Sequence, residues 1–179
     1  MNIQDLIPKV VANIKTTGKV RPTVYTQLNA GSIQPYPLLQ FMGDSRMKAH
    51  LLFAEGRQAG QQHLERDLVE TVFITEIWLT QGQRNPNPGE RPPTNIPQKE
   101  GVMFAIAENN APFQTLVKAY EIKRGKKGKA EELIYLSESL DPEGLMGVAF
   151  IAGWRSRSLS DAEVKALQQR GMRSFLGPV

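Results

Sequence analysis

The sequence predicts a single globular α+β domain over residues 1–179, a largely antiparallel sheet of about five to seven strands packed with three helices. Three observations carry this. Strand-like segments between residues 102 and 138 follow one another across short turn-forming connections, the pattern of a meander rather than of βαβ units. Helical patterns occupy residues 3–15 and 44–66, and a third follows a capping box near residue 160. At 179 residues, with no internal repeat, the chain has the length of one ordinary domain. A domain of this size buries about 70% of its extended surface, so its stability needs no metal or disulfide.

Residues 3–15 place Ile3, Leu6, Ile7, Val10, Val11 and Ile14 at helical spacing, with Gly18 near the C-terminal exit. Pro8 lacks an amide, so this helix is expected either to start near Asp5, with the proline in its first turn, or to kink. Thr23 to Leu28 is dense in strand formers and leads into the turn signal Asn29-Ala30-Gly31-Ser32. Pro35 and Pro37 confine a second strand over 33–41 to a sheet edge or demote it to extended loop. Gly43-Asp44-Ser45 caps a helix expected to run to about residue 66, with Met47, Leu51, Ala54 and Gln58 in one stripe. Gly56 and Gly60 weaken it and are expected to permit close packing against the sheet.

The segment Glu70 to Thr80 is largely apolar on both alternating faces and is expected at the centre of the sheet. Residues 81–100 form a different composition, with prolines at 86, 88, 92, 93 and 97. A loop of that length inside a compact domain is either functional or mobile. Strands are expected at 102–108, 114–123 and 132–138, joined by Asn109-Asn110-Ala111-Pro112 and by the glycine-bearing turn 124–129. After the turn Asp141-Pro142-Glu143-Gly144, residues 146–155 are expected to return as a further apolar strand. Ser160-Asp161-Ala162-Glu163 is a capping box for a last helix, and Gly171 stands where the chain leaves it.

The sequence contains no cysteine, which removes disulfide frameworks, thiolate zinc sites, iron–sulfur clusters and cysteine nucleophiles, and fits residence in the cytoplasm. Asp5 and Pro8 stand where a secretory leader would need an unbroken apolar run. The longest apolar stretch, Leu145 to Trp154, is ten residues, well short of the roughly 18 that a membrane helix requires. The net charge of +4 is unevenly distributed. Residues 1–60 carry seven Lys/Arg against three acids, 61–117 four against seven, and 118–179 eleven against eight. Mild basicity admits nucleic acid or an acidic protein as a partner.

Thr75-Glu76-Ile77-Trp78, then a proline-rich loop containing Arg91-Pro92-Pro93-Thr94 and Pro97, then Glu100-Gly101-Val102-Met103 opening a strand, form a recognisable succession. Over roughly residues 70–123 it resembles a pattern in small uncharacterised bacterial and phage proteins. Ile77 takes the place of the small residue usual there. The resemblance implies a sheet built on these strands and implies no reaction.

Most catalytic constellations fail on inventory or spacing. His50 and His63, on one expected helix, are 13 residues apart and fall about 220° apart around its axis, so they are not expected to share a metal. No Gly-x-Ser-x-Gly elbow and no Gly-x-Gly-x-x-Gly occurs. Gly125-Lys126-Lys127-Gly128-Lys129-Ala130 lacks the spacing and the Ser/Thr of a phosphate loop. No cofactor is expected.

Three arrangements remain. Glu121 and Lys123 share a strand face, with Glu108 ending the preceding strand. This is similar to the acid-then-Glu-x-Lys hairpin of metal-dependent nucleases, which implies Glu108 and Glu121 holding Mg²⁺ and Lys123 stabilising charge. The alternative is a solvated strand end with Glu and Lys pairing across the sheet. Glu76 interrupts the apolar face of Val72, Ile74 and Trp78, so it meets a cation or backbone donors, or opens into a small-molecule pocket walled by Trp78. Lys118, Lys123, Arg124, Lys126, Lys127 and Lys129 are six cations within twelve residues, opposed only by Glu121, a density suited to phosphate contacts or to solubility at a turn. The leading expectation is a non-enzymatic binding protein with an anionic partner, nucleic acid included, at the 118–129 hairpin. A Mg²⁺-dependent nuclease and a pocket at Glu76 and Trp78 are the alternatives.

Overall fold

The computed structural model describes residues 2–39, 41, 44–64, 67–80, 83–84, 98–109, 114–125, 128–141 and 144–172. Along the chain lie α1 (Ile3–Thr17), β1 (Thr23–Leu28), β2 (Ile33–Pro37), α2 (Ser45–Gly60), β3 (Leu68–Thr80), β4 (Gln83–Arg84), β5 (Gln98–Glu108), β6 (Thr115–Arg124), β7 (Ala130–Asp141), α3 (Leu145–Trp154) and α4 (Asp161–Leu167). One antiparallel sheet runs β2-β1-β3-β5-β6-β7, with the short β4 folded back on β3. The α+β class and the meander are as the sequence predicts, and β3 is central, flanked by β1 and β5. Of the proline-rich segment 81–100, residues 81–82 and 85–97 lie outside the described residues, while its end already belongs to β5.

Strand alternation divides the core in two. On one face, Val72, Ile74, Val102, Phe104, Tyr120 and Ile122 pack under Leu6, Val10 and Ile14 of α1. On the other, Val24, Phe73, Met103, Ala105 and Val117 pack under α2, α3 and Leu167 of α4. The sheet is the middle of three layers.

The chief correction concerns residues 146–155. They form no strand, because Leu145–Trp154 is helix α3, buried from Gly147 to Trp154. A helix that is apolar all round has no period to distinguish it from a buried strand. Among the described residues it raises the number of α-helices to four. It also explains Gly56 and Gly60, which pack against α3 rather than the sheet. A Cβ on Gly60 would lie 2.7 Å from the carbonyl oxygen of Trp154, and one on Gly56 would overlap that of Phe150. Gly153 makes the reciprocal approach to the Phe53 carbonyl. The two helices thus touch backbone to backbone, a contact only glycine permits.

Two smaller differences involve local geometry. Helix α1 starts at Ile3, capped by the Asn2 side chain, so Pro8 lies past its first turn and leaves the Gln4 carbonyl without its helical partner. Helix α2 ends at Gly60, which leaves His63 outside it and stacked on Trp154 at 5.4 Å, while His50 remains exposed in the helix. The Ser160–Glu163 capping box and the left-handed exits at Gly18 (φ 75°) and Gly171 (φ 99°) form as expected.

Candidate functional site

Glu76 points to the α1 face of β3, directly opposite Val102 of β5. Two positions along, Trp78 faces Glu100. The cations near Glu76 are Arg124 and Lys19, and Arg124 is committed to other partners. Arg124 of β6 donates its Nε to Glu100 at 2.6 Å and also reaches the carbonyls of Gly128 at 2.8 Å and Gly18 at 3.3 Å. It therefore ties the C-terminal end of α1 to β5 and to the β6–β7 turn. Burial first, then the neighbouring Glu100 charge, push the Glu76 carboxyl above its ordinary range, and Arg124 and Lys19 oppose them. Glu76, Glu100, Arg124 and Lys19 thus form a charge cluster near the C-terminal end of α1. The cavities described below include neither Glu76 nor Trp78 in their walls.

The nuclease-like set does not assemble. Glu121 stands opposite Gly101, whereas Glu108 ends β5 and stands opposite Glu70. Seven residues of strand separate the two levels, about 23 Å, far beyond the 2.0–2.6 Å reach of shared metal ligation. Glu121 binds Lys99 at 3.0 Å, and Lys123 faces Glu132 at 3.8 Å. These are the cross-strand pairs of the alternative reading, and both are surface pairs of small energetic weight.

The basic hairpin is also redistributed. Alternation sends Lys118 and Arg124 to the α1 face and Lys123 to the other. Each has a carboxylate: Lys118 meets Glu138 at 3.1 Å, Lys123 meets Glu132, and Arg124 meets Glu100. Lys129 is exposed beside the turn, and Lys126 and Lys127 lie outside the described residues. Cations contiguous in sequence thus fail to form one uncompensated patch among the described residues.

The strongest candidate surface is one that the sequence reading passed over, the outer edge of β7. The two edges of the sheet are built differently. Strand β2 is five residues long and carries Pro35 and Pro37, which blunt it against further pairing. Strand β7 is twelve residues long, without proline, and among the described residues its only strand neighbour is β6. Ala130 and Leu133 are buried under α1, and from Ile134 to Leu140 its residues are exposed. Ile134 (38% exposed) lies on the face of Glu121, while Tyr135 (51%) and Leu140 (57%) lie on the α1 face. The register slips between Ala119 and Tyr120, which leaves Leu136 (42% exposed) in a bulge without a direct partner. Large apolar side chains therefore project on both faces of a strand whose outer edge is unpaired among the described residues.

Beside this edge runs a groove of about 750 Å³ between α1 and the β6–β7 pair. Tyr120 and Leu133 form its floor, Ile7 and Val11 its helical wall, Tyr135 its outer wall, and Lys15 stands at its rim. Arg124 fixes Gly18 at the turn, so α1 packs against β7 as well, while Tyr135 and Leu140 remain exposed on that face. A second cavity, between Val10, Val20 and Ile74, holds only about 30 Å³, room for a water. The available signal for the edge was the run Leu133-Ile134-Tyr135-Leu136, apolar on both faces between acidic flanks. Among the described residues there is no helix long and apolar enough to cross a membrane, and no group of three metal-ligating side chains. No protein-family model, no curated protein and no solved structure matches the chain.

Proposed function

We propose that the protein is a non-enzymatic interaction protein that takes an extended segment of another polypeptide along the outer edge of β7. The observation that carries this reading is the asymmetry of the two sheet edges. One is short and closed by prolines, and the other is long, proline-free and lined by Ile134, Tyr135, Leu136 and Leu140. An open edge offers main-chain hydrogen bonds for affinity and alternate side-chain positions for specificity. The adjoining groove, lined by Ile7, Val11, Leu133 and Tyr135 together with Lys118 and Glu138, gives one face of an added strand a seat of mixed character. An anionic partner at the 118–129 hairpin draws less support, because Lys118, Lys123 and Arg124 already meet carboxylates.

A displayed library of random ten-residue peptides, selected in parallel on the wild type and on the Ile134→Lys/Tyr135→Lys/Leu140→Lys variant, tests it. The expected result is a set of peptides enriched on the wild type that lose the variant, while the variant keeps its thermal midpoint. Equal enrichment on both proteins, or none on either, contradicts the reading.

A further inference from the structure

The β7 edge also carries a charge. Between Ala130 and Asp141 stand Glu131, Glu132, Glu138 and Asp141, with no Lys, Arg or His. The strand that pairs with its inner side has the opposite chemistry: β6 presents Lys118, Lys123 and Arg124 against Glu121 alone, with apolar residues between them. Across that pairing Glu138 and Glu132 meet Lys118 and Lys123, yet their side chains remain 51% and 62% exposed. A residue inside a sheet has cross-strand neighbours on both sides. The same carboxylates are thus within reach of cations on a strand added outside β7. A second copy pairing through the same edge would instead set one acidic strand against another, and like charges across a ladder are destabilising.

Resting on the reading of β7 as a polypeptide-binding edge, we infer that the segment it takes is a cationic, apolar strand of a partner protein. Its chemistry matches that of β6, with Lys or Arg spaced as Lys118 and Lys123 are, so as to meet Glu138 and Glu132, and an apolar side chain between them seated against Tyr135. The four acids of β7 then do two things at once: they select the partner and keep copies of the chain apart.

Two blocked ten-residue peptides serve as probes, one with the β6 sequence Thr115–Arg124 and one carrying Lys118→Glu, Lys123→Glu and Arg124→Glu. Binding to the full chain is followed by fluorescence polarisation and by amide exchange on β7. The β6 peptide is expected to bind and to slow exchange on β7, and the charge-reversed peptide to bind at least about tenfold more weakly. The β6-peptide affinity is expected to fall between about 0.1 M and about 1 M salt, as the screening length contracts from about 10 Å to about 3 Å. It also falls in the Glu132→Gln/Glu138→Gln variant. Equal affinities for the two peptides, or indifference to salt, overturn the charge selection and leave the edge reading standing. If neither peptide slows exchange on β7, the edge reading itself fails. If the free protein sediments as a dimer with β7 already protected, the occupant is a second copy and the inference is wrong.

Discussion

Tyr120 and Tyr135 are partners across β6 and β7, their ring centroids 5.6 Å apart at 75°, yet Tyr120 is 3% exposed and Tyr135 51%. The boundary of the core runs between these two rings. Inward of it lies the core under α1, Leu133 of β7 included, and outward of it Tyr135 stands half exposed beside the groove.

The tyrosine pair makes a first prediction. Tyr120→Ala removes a ring packed on Phe104 and is expected to cost about 3–5 kcal/mol, as for other large aromatic truncations in cores. Tyr135→Lys is expected to change stability by no more than about 0.5 kcal/mol, the usual range for surface positions. Urea unfolding of the two variants checks this, and a loss at Tyr135 comparable to that at Tyr120 would mean that the edge is part of the folded core.

Helix packing makes a second. Gly56→Ala forces a methyl into the Phe150 carbonyl, and Gly153→Ala forces one into that of Phe53, so α2 and α3 must separate. Each is expected to destabilise by about 1–3 kcal/mol, with the urea midpoint lowered and the slope unchanged. Variants as stable as the wild type would show that these helices do not meet at backbone distance.

Features encoded by contiguous residues were legible in the sequence, and features created by folding were not. The Ser160–Glu163 cap, the Gly18 exit and the turn between β6 and β7 depend on neighbours a few residues apart. Leu145–Trp154 depends on its surroundings, because an apolar residue at every position suits a buried helix and a buried strand alike. The basic cluster shows a second limit of contiguous sequence. Its density is a property of the chain, while strand alternation and remote carboxylates such as Glu138 and Glu100 decide where the charge goes. Glu108 and Glu121 likewise seemed able to meet until the register fixed them at different levels of the sheet. Which strand ends outermost is set by the global order β2-β1-β3-β5-β6-β7, which no local pattern carries.

A third prediction concerns pH. Burial alone would raise the Glu163 carboxyl, but the Ser160 amide and hydroxyl and the Arg155 guanidinium outweigh it and hold it below the usual range. Its stabilisation is therefore present above the unfolded value of about 4.3 and lost as pH falls through the lower folded value. Glu76, raised by burial and by Glu100, has the opposite sign. Its contribution is complete below about 4.3 and lost as pH rises through its raised folded value. Glu163→Gln should thus lower the thermal midpoint at neutral pH, and Glu76→Gln should raise it, both effects shrinking toward acid. Melting curves across pH check the signs, and two shifts of the same sign contradict the assignment.

A fourth prediction follows from the distance between Glu108 and Glu121. Millimolar Mg²⁺ is expected to leave the melting temperature unchanged, in the wild type and in Glu121→Gln alike, because no pair of these carboxylates can share an ion. A Mg²⁺-dependent rise abolished by Glu121→Gln would show that the two strands are not in this register.

The most direct test of the β7 edge is residue-resolved amide exchange on Ala130–Asp141, with and without the β6-sequence peptide. Along an edge strand, alternate amides point inward to a neighbour and outward to solvent. In the free protein the inward amides should be slow and the outward ones fast. Saturating peptide should slow the outward set alone, giving protection at every second residue up to the bulge at Leu136. Outward amides that stay fast at saturation, or that are slow before any peptide is added, would contradict β7 as an open polypeptide-binding edge.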